Sequence, residues 1–361
     1  MIKVFFLSDI NNPHTIRWIQ ALTPFVEIML FSLSAPITNW FESEKNLHIT
    51  YLPLAASISE TSTLNKLRYL KALKYIKYIV LQFKPDIIHA HYASSYGLLS
   101  TFIHKIPTVL SVWGSDVFEF PKISIFHKLL LQYIFKKSDK ILSSSFIMAE
   151  EISQYTDKHI DVIPFGIDIE LFSNKHTKEN NIFTIGIAKS LKKIYGIDLL
   201  IYATSTLIHN NPNKTIHLLI AGEGPQEDYL KHLVSSLGIT LNVTFLGRLS
   251  NDEMPNFYNQ LDISVFPSHS ESFGVSAIES MACECPVVTS NAPGFKEVVT
   301  DGGFVVTIDN IERIVEKVQL LIDSPTLLKD LAKKGRQLVL EKYNLQNCID
   351  KQYKIYKTLL L

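Results

Sequence analysis

The sequence predicts an α/β protein of two doubly wound domains that face an inter-domain cleft, each domain a parallel sheet with helices on both faces. Three observations carry this. Short β-branched runs alternate with helical patterns almost from end to end, which is the rhythm of βαβ units. Runs such as Ile87-Ile88 are apolar on both faces, as strands buried between two helical layers must be. The alternation breaks at the polar, aperiodic run Ser173–Asn181 (SNKHTKENN), which separates two complete halves.

The elements follow in order. In the first half the strand segments are Lys3–Leu7, Glu27–Phe31, Ile49–Leu52, Ile87–Ala90, Thr108–Val112, Lys140–Leu142 and Asp161–Ile163. Helical periodicity falls on Thr15–Leu22, Leu64–Phe83, Tyr96–Ile103 and Phe126–Phe135. The second half repeats the pattern. Its strands are Thr184–Ile187, His217–Ala221, Asn242–Phe245, Ile263–Phe266, Val287–Thr289 and Phe304–Val306, and its helices include Ile197–His209, Gln226–Leu237, Asp252–Asn259 and Val275–Cys283. The expected division is a first domain over 1–172, a linker over 173–181, a second domain over 182–340, and a C-terminal helix over 341–361 that packs back on the first domain. Ligands of such sheets sit beyond the carboxyl ends of the strands.

Composition narrows the function classes. With 361 residues, and roughly 100–200 residues per domain, two domains fit the length. Lys+Arg and Asp+Glu both number 35, so the chain lacks the basic excess of a dedicated nucleic-acid binder. Three cysteines, Cys283, Cys285 and Cys348, make no disulfide framework and fit a reducing compartment. The apolar start ends at Ser8-Asp9 and reads as a first strand rather than a signal segment. No uncharged apolar stretch reaches the length of a membrane span, so the cytoplasm is the expected location. Charge is uneven, however: between Thr61 and Lys140 there are twelve Lys/Arg against four Asp/Glu.

The most informative stretch runs from Phe266 to Val288, FPSHSESFGVSAIESMACECPVV. A strand gives way to a polar loop, and a helix starts near Gly274. Glu271 lies in the loop and Glu279 eight residues later on the helix. The N–H groups around Phe273, Gly274 and Val275 form an anion site at a helix N-terminus, and Gly274 admits close backbone approach. A carboxylate beside a phosphate site suits the paired hydroxyls of a sugar. On the residues alone, a capped surface helix fits equally well.

The arrangement Glu-Ser-Phe-Gly-x-x-x-x-Glu-x-Met-Ala-x-x-x-Pro-Val-Val resembles the donor-site signature of family-four retaining glycosyltransferases with the GT-B fold, the glycosyltransferase group 1 type. Gly222-Glu223-Gly224-Pro225, Phe245-Leu246-Gly247-Arg248, the segment from Val162 to Asp168, and the glycine loop from Asn291 to Val299 resemble further family motifs in the same order, so the likeness covers nearly the whole chain. It implies that Glu271 contacts the transferred sugar, that Glu279 holds the nucleotide ribose, and that the amides of Phe273, Gly274 and Val275 face the diphosphate. Gly222, Gly247 and Arg248 belong to the same donor side. The family carries a basic pair after the first strand of its second domain. Lys189 matches the first member, whereas Tyr195 stands where the second is expected, leaving Lys192 or Lys193 to supply that charge. Cations there stabilise charge developing on a nucleoside diphosphate leaving group.

The first domain departs further from the family. Its first loop, from Ser8 to Trp18, has no glycine, although Asn12, His14 and Arg17 are placed to reach the cleft; a plain helix entry with Trp18 in the core is the other reading. Trp113-Gly114-Ser115-Asp116 has Trp where relatives place a His. Asp116 and the backbone near Gly114 are therefore the site candidates there. His89 and His91 end a buried strand at the expected cleft edge and are open to a structural or a functional reading.

Metal is not expected. No Asp-x-Asp occurs, and Cys283-x-Cys285 has no matching Cys or His pair, so both cysteines read as packing. Glu284 stands where the family has glycine. The amphipathic, lysine-rich Leu64–Phe83 and the basic, aromatic Phe126–Lys137 fit either soluble outer faces or a peripheral contact with an anionic membrane. The resemblance implies retaining, metal-independent hexosyl transfer from a nucleotide sugar, UDP-linked by expectation. The acceptor is a glycan or lipid-linked saccharide, in synthesis of a bacterial surface glycan such as lipopolysaccharide or capsule. Closure of the cleft would exclude water. The rival readings are a sugar-phosphate glycosyltransferase or nucleotide-sugar epimerase of the same fold, and a non-catalytic binding protein.

Overall fold

A computed structural model describes residues 1–54, 71–175, 182–308 and 310–361. The chain divides into two compact units, Met1–Gly166 with Leu345–Leu361, and Ile167–Asn344.

The first unit is built on a seven-stranded sheet of β1 (Ile2–Leu7), β2 (Val26–Ser32), β3 (Leu47–Tyr51), β4 (Ile87–His91), β5 (Thr108–Val112), β6 (Lys140–Ser143) and β7 (Ile160–Val162), in the order β3-β2-β1-β4-β5-β6-β7. All neighbours are parallel. Alternation along β1 sends its side chains to two cores. Val4 and Phe6 join Trp18, Ile19, Ile349 and Tyr356, whereas Phe5 and Leu7 join Ile76, Leu131 and Ile134 on the opposite face. Helices Pro13–Leu22 and Leu345–Leu359 thus cover one face, and helices Leu73–Phe83 and Ile125–Lys137 cover the other.

The second unit carries six parallel strands, β8 (Phe183–Ala188), β9 (Ile216–Ala221), β10 (Val243–Gly247), β11 (Ile263–Phe266), β12 (Val287–Ser290) and β13 (Gly303–Val306), in the order β10-β9-β8-β11-β12-β13. In each sheet the winding direction reverses beside the first strand, between β1 and β4 and between β8 and β11. A reversal leaves a crevice at the carboxyl ends of the two strands, because their crossover helices depart to opposite faces.

Several helices differ from the sequence reading. The expected Tyr96–Ile103 helix is a π-helical turn over Tyr92–Gly97 continued by Leu98–Ser100; the chain enters it through Tyr92, which has a left-handed φ of 75°. The helix expected from Asp252 starts at Met254, with Pro255 in its first turn, where a missing N–H costs nothing. Of the expected Leu64–Phe83 helix, residues 64–70 lie outside the described residues, and Leu73–Phe83 is helical, ending at a left-handed Lys84. Helices Ile311–Asp323 and Pro325–Lys342, which the alternation left unspecified, complete the second unit. Among the described residues no helix is long and apolar enough to cross a membrane.

Candidate functional site

In the second unit the loops at the carboxyl ends of β8, β9 and β10 are tied in series. Lys189 N donates to Ala221 O (3.0 Å), Leu191 N to Glu223 O (2.9 Å), and Gly222 N to Gly247 O (2.7 Å). Gly222 is fixed by this arrangement: its φ is 137°, and a Cβ there would lie 1.9 Å from the Lys189 carbonyl. Gly222 and Gly247 therefore shape the backbone that carries Lys189, and the Arg248 side chain just beyond them is exposed.

The loop after β11 brings Glu271 to the same place. His269 N donates to Ile194 O (2.8 Å) and Gly294 N to Glu271 O (3.0 Å), so both ends of the loop are anchored. Glu271 Oε2 then accepts from Lys189 Nζ at 2.5 Å, each side chain being only 13% exposed. Tyr195, on the turn Lys193–Tyr195, sets its ring 5.1 Å from the same ammonium. A tyrosine at the position expected for a second cation thus meets the first one with its π face. Lys192 and Lys193 are exposed on that turn.

Gly274 caps the helix Val275–Ala282 with a φ of 97°, and the side chain of Phe273 is buried edge-on against Tyr343. The first-turn amides of a helix have no partner within it, which makes this terminus an anion-binding element. Ser276 Oγ donates to Ala188 O (3.4 Å), tying that turn to the end of β8. Glu279 lies one turn further on and is 8% exposed. It accepts from the buried Tyr258 hydroxyl at 3.4 Å. Burial first, and the Glu279 carboxylate second, hold the Tyr258 hydroxyl well above its usual range, so it stays a donor. Sequence reasoning missed Tyr258, which lies outside the charged motifs, and Ser276, which occupies a variable position within one.

Glu284 takes the left-handed backbone (φ 56°) that a glycine adopts without strain, and its carboxylate accepts from Asn174 Nδ2 (2.8 Å). Cys283 and Cys285 are buried, and burial pushes the Cys283 thiol far up. Among the described residues no three His, Cys, Asp or Glu side chains converge as a metal set.

In the first unit Asn12 and Asp116 are both bonded within the fold itself. Asn12 caps helix Pro13–Leu22, its Oδ1 accepting from His14 N (2.8 Å). The expectation that Asp116 acts on substrate meets a carboxylate with no accessible surface. Its Oδ2 accepts from Ala93 N (2.8 Å), and its Oδ1 from Gly114 N (2.8 Å) and Trp113 N (3.2 Å). Burial raises its pKa and these amides oppose the rise. Asp116 is thus a positioning residue for the Trp113-Gly114 turn, where Gly114 has a φ of 143°. His89 is buried with both ring nitrogens engaged, Nδ1 to the Tyr356 hydroxyl (2.5 Å) and Nε2 to Ser111 Oγ (2.8 Å), so its place is structural.

His91, also buried, contacts Ser8 Oγ through Nδ1 (3.0 Å) and lies against Trp113, ring centroids 4.4 Å apart. His14 stacks on Phe165 at 4.3 Å. His91, Trp113 and Phe165 line one small cavity with Ser111, Ser143 and Ser144. Arg17 Nη1 donates to Gly166 O (3.4 Å).

Comparison with known proteins agrees with this layout. Residues 168–338 match the family described as Glycosyl transferases group 1, and residues 3–145 match Glycosyl transferase 4-like. An uncharacterized glycosyltransferase of Methanocaldococcus jannaschii is 28% identical over 306 residues, covering 81% of this chain and 83% of that one. The capsular polysaccharide biosynthesis glycosyltransferase CapM of Staphylococcus aureus is 28% identical over 312 residues, covering 80% and 81%. The crystal structure of Anabaena HepE in complex with UDP and glucose superposes with a TM-score of 0.78 at 18% identity, over 99% of this chain and all of that one. With two successive glycosyltransferase domains on two parallel α/β sheets, the chain belongs to the group 1 glycosyltransferases of the GT-B fold.

Proposed function

We propose that the protein transfers a hexose from a UDP-sugar to a glycan or lipid-linked acceptor, with retention at the anomeric carbon and without a metal ion. The observation that supports this most directly is the juxtaposition of Lys189, Glu271 and the Val275–Ala282 N-terminus at the ends of β8 and β11. An ammonium and the N-terminal amides of a helix suit a diphosphate, and two carboxylates suit sugar hydroxyls.

In this reading the amides of Phe273, Gly274 and Val275 take the diphosphate. Glu279, steadied by Tyr258, accepts from the ribose hydroxyls. Lys189 stabilises the charge that develops on the departing UDP. Glu271 orients the hexose. The acceptor hydroxyl attacks the anomeric carbon on the face that UDP leaves, and its proton passes to the departing phosphate oxygen. The first unit recognises the acceptor. The nearest supports for donor and pathway are the UDP complex of HepE and the capsular role of CapM.

The test is calorimetry with UDP-, GDP-, ADP- and CMP-sugars, each with and without a divalent metal. Binding of the UDP class alone, unaltered by metal and lost in Glu279→Ala, is the expected outcome. Absence of binding by every nucleotide sugar overturns the donor site.

A further inference from the structure

We propose that helices Leu73–Phe83 and Ile125–Lys137 form one docking face for an anionic lipid bilayer. This surface lies wholly in the first unit and stands independently of the donor reading.

Ile125–Lys137 is apolar on two sides. Leu131, Ile134 and Phe135 are buried in the core under the sheet. On the outside Ile125, Phe126, Leu129 and Tyr133 are exposed, Phe126 by 78%, and Ile123 joins them from the preceding turn. A helix that is hydrophobic all round is ordinarily covered all round. Leu73–Phe83 repeats the arrangement. Ile76, Ile79 and Phe83 face inward, while Tyr75, Tyr78 and Leu81 face outward, Leu81 at 70% exposure. The second unit offers a contrast in Ile311–Asp323. Its buried stripe of Ile314, Val318, Leu321 and Ile322 is backed by Glu312, Arg313, Glu316 and Lys317, charges of both signs.

Both helices contribute to the same core cluster, so they lie on the same face of the seven-stranded sheet. The flanking charge is of one sign. Residues 71–84 carry Lys71, Lys74, Lys77 and Lys84, and residues 122–137 carry Lys122, Lys128, Lys136 and Lys137, with no Asp or Glu in either segment. Of the acids near the patch, Asp86 accepts from Lys3 N, Asp139 accepts from Thr108 N, and Glu151 pairs with Lys122 at 3.1 Å, while Glu119 is exposed ahead of Lys122.

Aromatic and aliphatic side chains ringed by lysines match the boundary between acyl chains and anionic headgroups. A protein partner for the same face would need acids to answer eight lysines. A second copy of this chain would bring the same lysines against each other.

The experiment is co-sedimentation of the full chain with phosphatidylcholine vesicles and with vesicles containing phosphatidylglycerol. The expected result is binding to the phosphatidylglycerol vesicles alone, weakened about tenfold by high salt. Phe126→Asp with Leu129→Asp should abolish it, and Lys74→Glu with Lys77→Glu, on the other helix, should weaken it about tenfold. Melting curves control for folding, and if the Asp pair melts early, the lysine pair decides. No binding to anionic vesicles at low salt overturns the proposal. So does equal binding by both variants, or a wild-type dimer that Phe126→Asp dissociates without any change in vesicle binding.

Discussion

Lys189 and Glu271, 82 positions apart in sequence, form an ion pair of 2.5 Å with both side chains largely withdrawn from solvent. The carboxylate sits where the ammonium's next partner is expected to be a phosphate. Removing either residue leaves the other charged and poorly solvated. Lys189→Ala and Glu271→Ala are each expected to lower kcat by about 10²–10³-fold and, by stranding the remaining charge, also to lower the melting temperature while the fold persists. The double variant should be little worse than either single one, because the two act as a unit. A variant of either residue with near-parental turnover would remove the pair from the chemistry. Mass spectrometry under turnover should find no glycosylated Glu271 peptide.

Gly222→Ala is expected to cost at least about 2 kcal/mol, since the new Cβ meets a backbone carbonyl and the φ is left-handed. The atom it strikes is the Lys189 carbonyl. The substitution should therefore weaken UDP binding as well as lower the melting temperature. Thermal melts paired with calorimetry check this. An Ala variant with parental stability and affinity would show that the loop relaxes freely.

The first unit should be sensitive to acid. Burial, then the neighbouring His14, lowers the pKa of His91 from 6.5 to about 3. His91 is therefore neutral in the folded protein and binds a proton more readily once unfolded. Its contribution is whole above the unfolded value and is lost as pH falls from there toward the folded one, amounting to about 2 kcal/mol lost at about pH 5. Buried His89 is lowered too and adds in the same direction. Melting temperatures measured from about pH 7.5 down to about pH 5 should fall, and His91→Gln should flatten part of that slope. An unchanged slope in the variant would contradict the assignment.

The strand segments were legible because a buried parallel strand is marked by its own composition, and every one lies within two residues of its expected bounds. The strand-loop-helix segment from Phe266 to Val288 was legible for a related reason: glycines, carboxylates and a strand end recur at short range. Partnerships across the chain were not. Nothing local in Trp113-Gly114-Ser115-Asp116 shows that the carboxylate is filled by backbone amides, one of them from Ala93. Arg336, beyond every motif, donates to the carbonyls of Ile169, Phe172 and Ala282. Such bonds depend on where the chain returns, which periodicity does not encode. Asn12 is ambiguous in the opposite sense, since a polar residue ahead of a helix serves a cap and a ligand with the same oxygen.

Leu345–Leu361 belongs with Met1–Gly166 although the whole second unit intervenes. Cys348, Ile349 and Tyr356 fill the core beneath β1, Gln352 Oε1 accepts from Trp18 Nε1 (2.8 Å), and Tyr356 supplies the partner of His89. On the ribosome, the first unit must therefore wait for a segment made after the second unit. The second unit, contiguous from Ile167 to Asn344, has its full complement of residues while the earlier one still lacks a helix. Until that helix emerges, Trp18 and Ile19 lack part of their cover, so apolar surface of the first unit stays open while the second unit is made.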